Sequence, residues 1–209
     1  MAQPESTSRK AAIESNNQAS RRGNNRRDQI VHAAREICLE KGFTHITVSD
    51  ITCRVGITRS LFYHYFRNKE DVAEAVLDDA INAIIARLDA WNETRVRGQV
   101  DQALDDMVSM MRVIIADEGP FSKKMVQSGN SGLYIQFVDQ VSQRVSDYIC
   151  QTTVKDFEHV HGSLPIKHVK ETLMMMISGS IALLREQPHI SDEDVKEIFI
   201  QTLQLEDYL

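Results

Sequence analysis

Apolar residues recur along this chain at three- and four-residue intervals and do not alternate over any length, which predicts helices and no strands. The first run, Ile30, Val31, Ala33, Ala34, Ile37 and Cys38, predicts a helix over 26–41 that stops at Lys41-Gly42. Thr47 reads as an N-cap with Asp50 three residues on, opening a short helix that ends near Arg54-Val55, before Gly56. Thr58 caps a third, running to about Tyr65. From Lys69 to about Trp91, the residues Val72, Ala75, Val76, Ala80, Ile84 and Leu88 share one face of a long helix. Further helices are expected over 99–117, 120–128, 131–160, 165–186 and 192–206, punctuated by Gly98, Gly119-Pro120, Gly129–Gly132, Gly162–Pro165 and Gln187-Pro188. Ser191 ahead of Asp192-Glu193-Asp194 caps the last helix and sets negative charge at its positive end. The expected fold class is all-α.

Composition narrows the function classes. Three cysteines, Cys38, Cys53 and Cys150, are too few and too widely spaced for a disulfide framework or a CxxC metal knuckle, and point to a reducing cytoplasm. No apolar run approaches the ~18 residues of a membrane span, and Met1–Lys10 lacks a signal-peptide core. A net charge of −6 argues against a nucleic-acid partner until it is divided along the chain. Residues 1–70 carry 12 Lys/Arg against 7 Asp/Glu, whereas residues 71–209 carry 12 against 23. A basic head on an acidic body implies that one end meets a polyanion and the other does not.

Residues 47–66, TVSDITCRVGITRSLFYHYF, carry the chemistry. Two short helices joined at a glycine, the second opening on Thr58, Arg59 and Ser60, describe a helix-turn-helix. A helix fits the major groove of DNA, where residues near its start face base edges and hydroxyls and amides hold phosphates. Val48, Ile51, Val55, Ile57 and Phe62 are spaced to lock the two helices together, which leaves Arg59, Ser60 and Leu61 at the tip and Tyr63 and His64 on the next turn.

The stretch from Ile30 to about Val76 resembles the DNA-binding head of TetR-type (TetR/AcrR) transcriptional regulators. The resemblance rests on Ile30-Val31-His32-Ala33-Ala34, Lys41-Gly42-Phe43, Thr47-Val48-Ser49-Asp50-Ile51, Val55-Gly56-Ile57-Thr58, Leu61 to Phe66 and Asn68-Lys69-Glu70, in that order. It implies a head over 26–70, after a polar tail over 1–25, and a helical ligand-binding and dimerisation body over 71–209. It also implies that Thr47 caps the second helix and touches a phosphate, and that Thr58, Arg59, Ser60 and Leu61 read bases. Tyr63 and His64 would bond the backbone or a base edge, and Lys69 would meet a phosphate. Phe62 and Phe66 fall at core positions. Thr52, Leu61 and Arg67 depart from the usual pattern; Leu61 suits a thymine methyl and Arg67 a phosphate. The tail, which ends in Arg21-Arg22 and Arg26-Arg27, reads either as a solvated segment or as an arm reaching DNA.

For the body, the resemblance implies a homodimer through helices 165–186 and 192–206, a palindromic operator, and release by a small molecule. Val169, Leu173, Met176, Ser180 and Leu184 stripe the first of these helices, and Val195, Ile198, Phe199, Thr202 and Leu205 the second; burial within one chain explains the same stripes. Seven of the eight methionines fall in the body, among them Met125, where they line a cavity or fill a core equally well. Met107, Met111, Tyr134 and Phe137 are the candidate ligand-lining residues, with Trp91, Asn130, Gln136 and Gln140 as further polar groups. His159, His161 and His168 flank a break without a companion carboxylate or thiolate cluster, so a solvated loop is expected and no metal. Ser128–Gly132 lacks the preceding strand and the Gly-Lys-Ser/Thr ending of a phosphate loop. No nucleophile, acid–base pair or cofactor motif emerges, so a regulator is expected and not an enzyme. A DNA-binding protein governed by a protein partner, with no ligand pocket, is the alternative.

Overall fold

The computed structural model describes residues 25–116 and 131–209. Residues 1–24 of the tail, the expected helix over 120–128, Met125, Asn130 and half of the Gly129–Gly132 break lie outside the described residues, whereas the tail's last pair, Arg26-Arg27, is described. Helix α1 covers 25–41 and is followed by a 3-10 turn at Phe43–His45. Then come α2 Val48–Val55, α3 Arg59–Tyr65, α4 Lys69–Thr94 and α5 Val100–Ala116. The remainder is α6 Ser131–Gln151, α7 Thr153–His161, α8 Val169–Glu186 and α9 Asp192–Leu203, with a last 3-10 turn at Glu206–Tyr208. No strand occurs among the described residues. Two compact units meet between Val76 and Leu77, inside α4.

The first unit has its own core. Ile30, Val31, Ala34, Ile37 and Cys38 of α1 pack with Ile46, Ile51, Phe62, Phe66 and the α4 residues Val72, Ala75 and Val76. Val48, Val55, Ile57 and Tyr65 close over it. Phe62 and Ile30 are wholly buried, and each contributes about 1.5–3 kcal/mol of transfer free energy. Thr52 sits in this core without orphaning its hydroxyl, which donates to the Ser49 carbonyl at 3.1 Å. Cys38 of α1 is buried in the same core, which pushes the thiol pKa up to about 11 and keeps it uncharged.

The second unit is built on two clusters. One joins Leu77, Ile81 and Leu88 of α4 to Phe137, Val141, Val145 and Ile149 of α6 and Leu173 of α8. The other joins Leu104 and Val108 of α5 to Leu184 of α8, Val195 and Phe199 of α9, and Leu205. Helices α5 and α8 serve both.

Three expected boundaries differ. The single helix expected over 131–160 is broken at Thr152, whose ψ is −82°, and whose hydroxyl and N–H both donate to the Tyr148 carbonyl, at 2.8 and 3.1 Å. The break lets α7 divide its side chains: Val154 joins the first cluster, Phe157 the second. Helix α8 begins at Val169 and not at 165, because Leu164 is drawn into the second cluster and the chain crosses the intervening bends. Helix α9 ends at Leu203, where Gln204 turns left-handed (φ 55°) and the Leu205 N–H closes on the Ile200 carbonyl at 3.0 Å, burying Leu205.

Candidate nucleic-acid interface

The helix-turn-helix is assembled from caps. At the start of α2, Thr47 Oγ1 accepts the Asp50 N–H at 3.2 Å, while the Asp50 carboxylate accepts the Thr47 N–H at 2.8 Å and its hydroxyl at 2.7 Å. Lys41, in the last turn of α1, reaches the same carboxylate at 2.9 Å. Lys41 first, then the Thr47 hydroxyl and N–H, hold the Asp50 pKa down to about 2. The Arg54 guanidinium grips Glu40 with two bonds of 2.6 and 2.7 Å, a second tie from α2 to α1. Gly56 then takes a left-handed conformation (φ 70°, ψ 40°), and Thr58 Oγ1 accepts the Leu61 N–H at 3.2 Å to start α3.

Helix α3 has two faces. Phe62 is buried and Tyr65 half-buried, while Arg59, Ser60, Tyr63 and His64 are exposed at i, i+1, i+4 and i+5. Tyr63 leaves 55% of its surface in solvent and meets Phe62 edge-on at 5.4 Å. Leu61 is half-buried between the faces. Arg59 donates to the Ser49 hydroxyl, so α2 aims the guanidinium along the exposed surface. This orienting serine lies among the quoted motif residues, but only the packing of the two helices brings it to Arg59.

Two expected backbone contacts are engaged within the chain. The Lys69 ammonium faces the Phe43 ring at 5.1 Å and reaches the Ile46 carbonyl at 3.4 Å. Arg67 holds Asp71 through Nε at 2.9 Å and its own N–H at 3.0 Å, which lowers the Asp71 pKa. Asn68 caps α4, accepting the Asp71 N–H at 2.8 Å.

Residues 30–76 match the model of "Bacterial regulatory proteins, tetR family". Over this head the chain is similar to the TetR family. The repressor NemR of Escherichia coli K12 is 32% identical over 62 residues, covering 30% of this chain and 31% of that protein. The match therefore spans about a third of that relative's length. The regulator SrpR of Pseudomonas putida is 27% identical over 176 residues, covering 82% and 79% of the two chains. The structure of FadR from Bacillus subtilis, in complex with stearoyl-CoA, superposes with a TM-score of 0.56 at 16% identity over 85% of this chain and 95% of that one.

In the second unit the candidate ligand residues divide. Phe137 is buried in the first cluster, with Met107 against it, whereas Met111 packs on the second. Tyr134 stacks under the Arg185 guanidinium at 4.7 Å. Trp91 Nε1 donates to Asp106 at 2.9 Å, and its ring carries the Arg95 guanidinium at 5.1 Å. The stripes read as a dimer seam are largely interior to the single chain: Leu173, Ser180, Leu184, Val195, Phe199 and Leu205 are buried, while Met175, Gly179, Ala182, Ile198 and Thr202 face outward. A three- to four-residue period marks which residues share a face, not which face lies inside. His161, expected in a solvated loop, is half-buried between Phe157 and Tyr208 and bonds the Gly98 carbonyl at 3.2 Å, because position 161 repeats 157 one turn on. Among the described residues no group of three His, Cys, Asp or Glu is placed to hold a metal ion, and no helix is long and apolar enough to cross a membrane.

Proposed function

We propose that the protein is a transcriptional repressor that binds a palindromic operator as a homodimer and is released by a small molecule. The carrying observation is the exposed face of α3, Arg59, Ser60, Tyr63 and His64, fixed on a capped helix-turn-helix. Arg59 suits the O6/N7 edge of guanine, and the phenol and imidazole one turn on suit a phosphate or a base edge. Leu61 and Thr58 complete the reading tip. Thr47 meets a phosphate only by sharing a hydroxyl that already serves Asp50, and Lys69 only by leaving Phe43.

The outward faces of α8 and α9, centred on Met175, Gly179, Ala182 and Ile198, are the surfaces this reading assigns to the partner subunit. Met107, Tyr134 and Phe137 form the wall offered to the effector, with Met111 beyond it. An effector shifts the equilibrium between DNA-competent and released bodies only by its differential affinity for the two. Helix α4, which starts in the first unit and continues through the second, is the covalent path for that change. NemR, a named repressor, supports the sign of regulation, and FadR, a neighbour in fold solved in complex with stearoyl-CoA, supports a small-molecule effector.

Fluorescence anisotropy with labelled promoter fragments from the host genome tests the reading. Salt-dependent, saturable binding to at least one fragment, reversed by a small-molecule fraction of cell extract, is expected. Binding that only a macromolecular fraction reverses would replace the effector by a protein partner.

A further inference from the structure

The C-terminal turn of α8 holds a cation, Arg185, with one guanidinium nitrogen left without a hydrogen-bond partner. Arg185 Nη1 is shut off from solvent and has no hydrogen-bond partner. Its Nη2 comes no closer than 3.6 Å to Glu186, a side chain 74% exposed. The guanidinium carbon lies over the Tyr134 ring, 4.7 Å from its centroid, a contact that holds the cation without giving Nη1 a partner. A desolvated, unpaired donor on a charged group is among the costlier features a fold can retain, and most native buried donors are paired. The surroundings are apolar and incompletely covered. Ile181, one turn before Arg185, and Leu133 and Val138, either side of Tyr134 on α6, are half-buried against the cluster that contains Phe137 and Met107.

We propose that Arg185 and Tyr134 form the anion-binding end of a site for an apolar molecule carrying one carboxylate. The open edge of the guanidinium, whose side chain keeps 24% of its surface in solvent, takes the carboxylate, Tyr134 holds the cation in place, and the apolar part lies along Ile181, Leu133 and Met107. The inference rests on the effector reading above and gives that effector a chemical class. It adds Arg185 to the candidate site; in the sequence, this residue is only one basic side chain ending an apolar helix.

Isothermal titration of the full chain, in the absence of DNA, with octanoate, octyl phosphate and octanol tests it. Octanoate is expected to bind once per chain and at least about tenfold more tightly than octanol, because only the anion engages the fork. Arg185→Met is expected to remove that preference while leaving octanol binding unchanged and the melting temperature no lower, because relief of the unpaired buried donor offsets the lost contact with Tyr134; Arg185→Lys, which keeps the charge without the fork, falls between. Equal affinity of octanoate for wild type and Arg185→Met, no octanoate binding at millimolar concentration, or a melting temperature lowered by Arg185→Met would overturn the site. Tighter binding of octyl phosphate than of octanoate would overturn the carboxylate. Octanoate bound through Arg185 but without effect on the operator complex would leave the site standing and remove the effector reading.

Discussion

Single side chains in the head work by orienting their neighbours. Asp50 receives Lys41, the Thr47 hydroxyl and the Thr47 N–H on one carboxylate, and so joins the end of α1 to the start of α2. With a folded-state pKa of about 2 against an ordinary value near 3.9, its contribution is fully present above pH 4 and is lost as pH falls through 2. The melting-temperature difference between wild type and Asp50→Asn, followed by circular dichroism, should therefore be constant from pH 7 to about 4.5 and narrow below that. Arg59 is aimed by Ser49 and buries nothing, so Arg59→Ala should leave the fold intact. It should cost about 1–3 kcal/mol of discrimination between operator and mismatched duplexes in competition anisotropy. Most of this scale was legible beforehand, because a cap and its partner lie three residues apart. Lys69 was not: its ring partner, Phe43, is brought to it by the fold.

Among the elements, the turn between α2 and α3 tests how far the motif depends on one backbone conformation. Gly56 is left-handed, and a Cβ built there meets nothing within 4 Å. Substitution is thus penalised by conformation alone and not by collision. Gly56→Ala should cost about 1–2 kcal/mol in urea unfolding, and Gly56→Asn less, because asparagine tolerates that region. The opposite lesson comes from Thr152. Nothing in the local pattern of 131–160 demanded a break, since neither glycine nor proline is present between 133 and 160. The chain divides there because residues on either side are claimed by different clusters, and a threonine hydroxyl is available to bond back to Tyr148.

At the scale of the body, one buried ion pair joins segments 61 residues apart. Arg95 is 5% exposed, bonds Asp156 at 2.5 Å and Asn92 at 2.9 Å, and lies over Trp91. Asp156→Ala would strand that guanidinium, with an expected loss of about 3–5 kcal/mol. Replacing both partners by apolar residues should recover much of it, read through fluorescence of Trp91, the sole tryptophan. Assembly belongs to the same scale. Met175 is 76% exposed on α8 and opposes no residue of its own core. If the proposed homodimer forms through this face, Met175→Arg should yield a monomer in sedimentation while preserving helicity, and should weaken operator binding by orders of magnitude, since two half-sites would no longer be bound as a unit.

The sequence by itself determined what depends on near neighbours: the helical class, the caps at Thr47, Thr58 and Ser191, the glycine at 56, and the exposed polar face of α3. Each needs only residues within a turn or two, and the charge division sharpened the reading by separating a basic head from an acidic body. The tertiary structure alone decided which side of α8 and α9 lies inside, where the helix after Ser131 breaks, and which cations meet which partners. Periodicity names a face without saying what will cover it. Arg95 with Asp156, and Arg185 with Tyr134, are pairs that no spacing along the chain announces, because burial by distant helices brings them together.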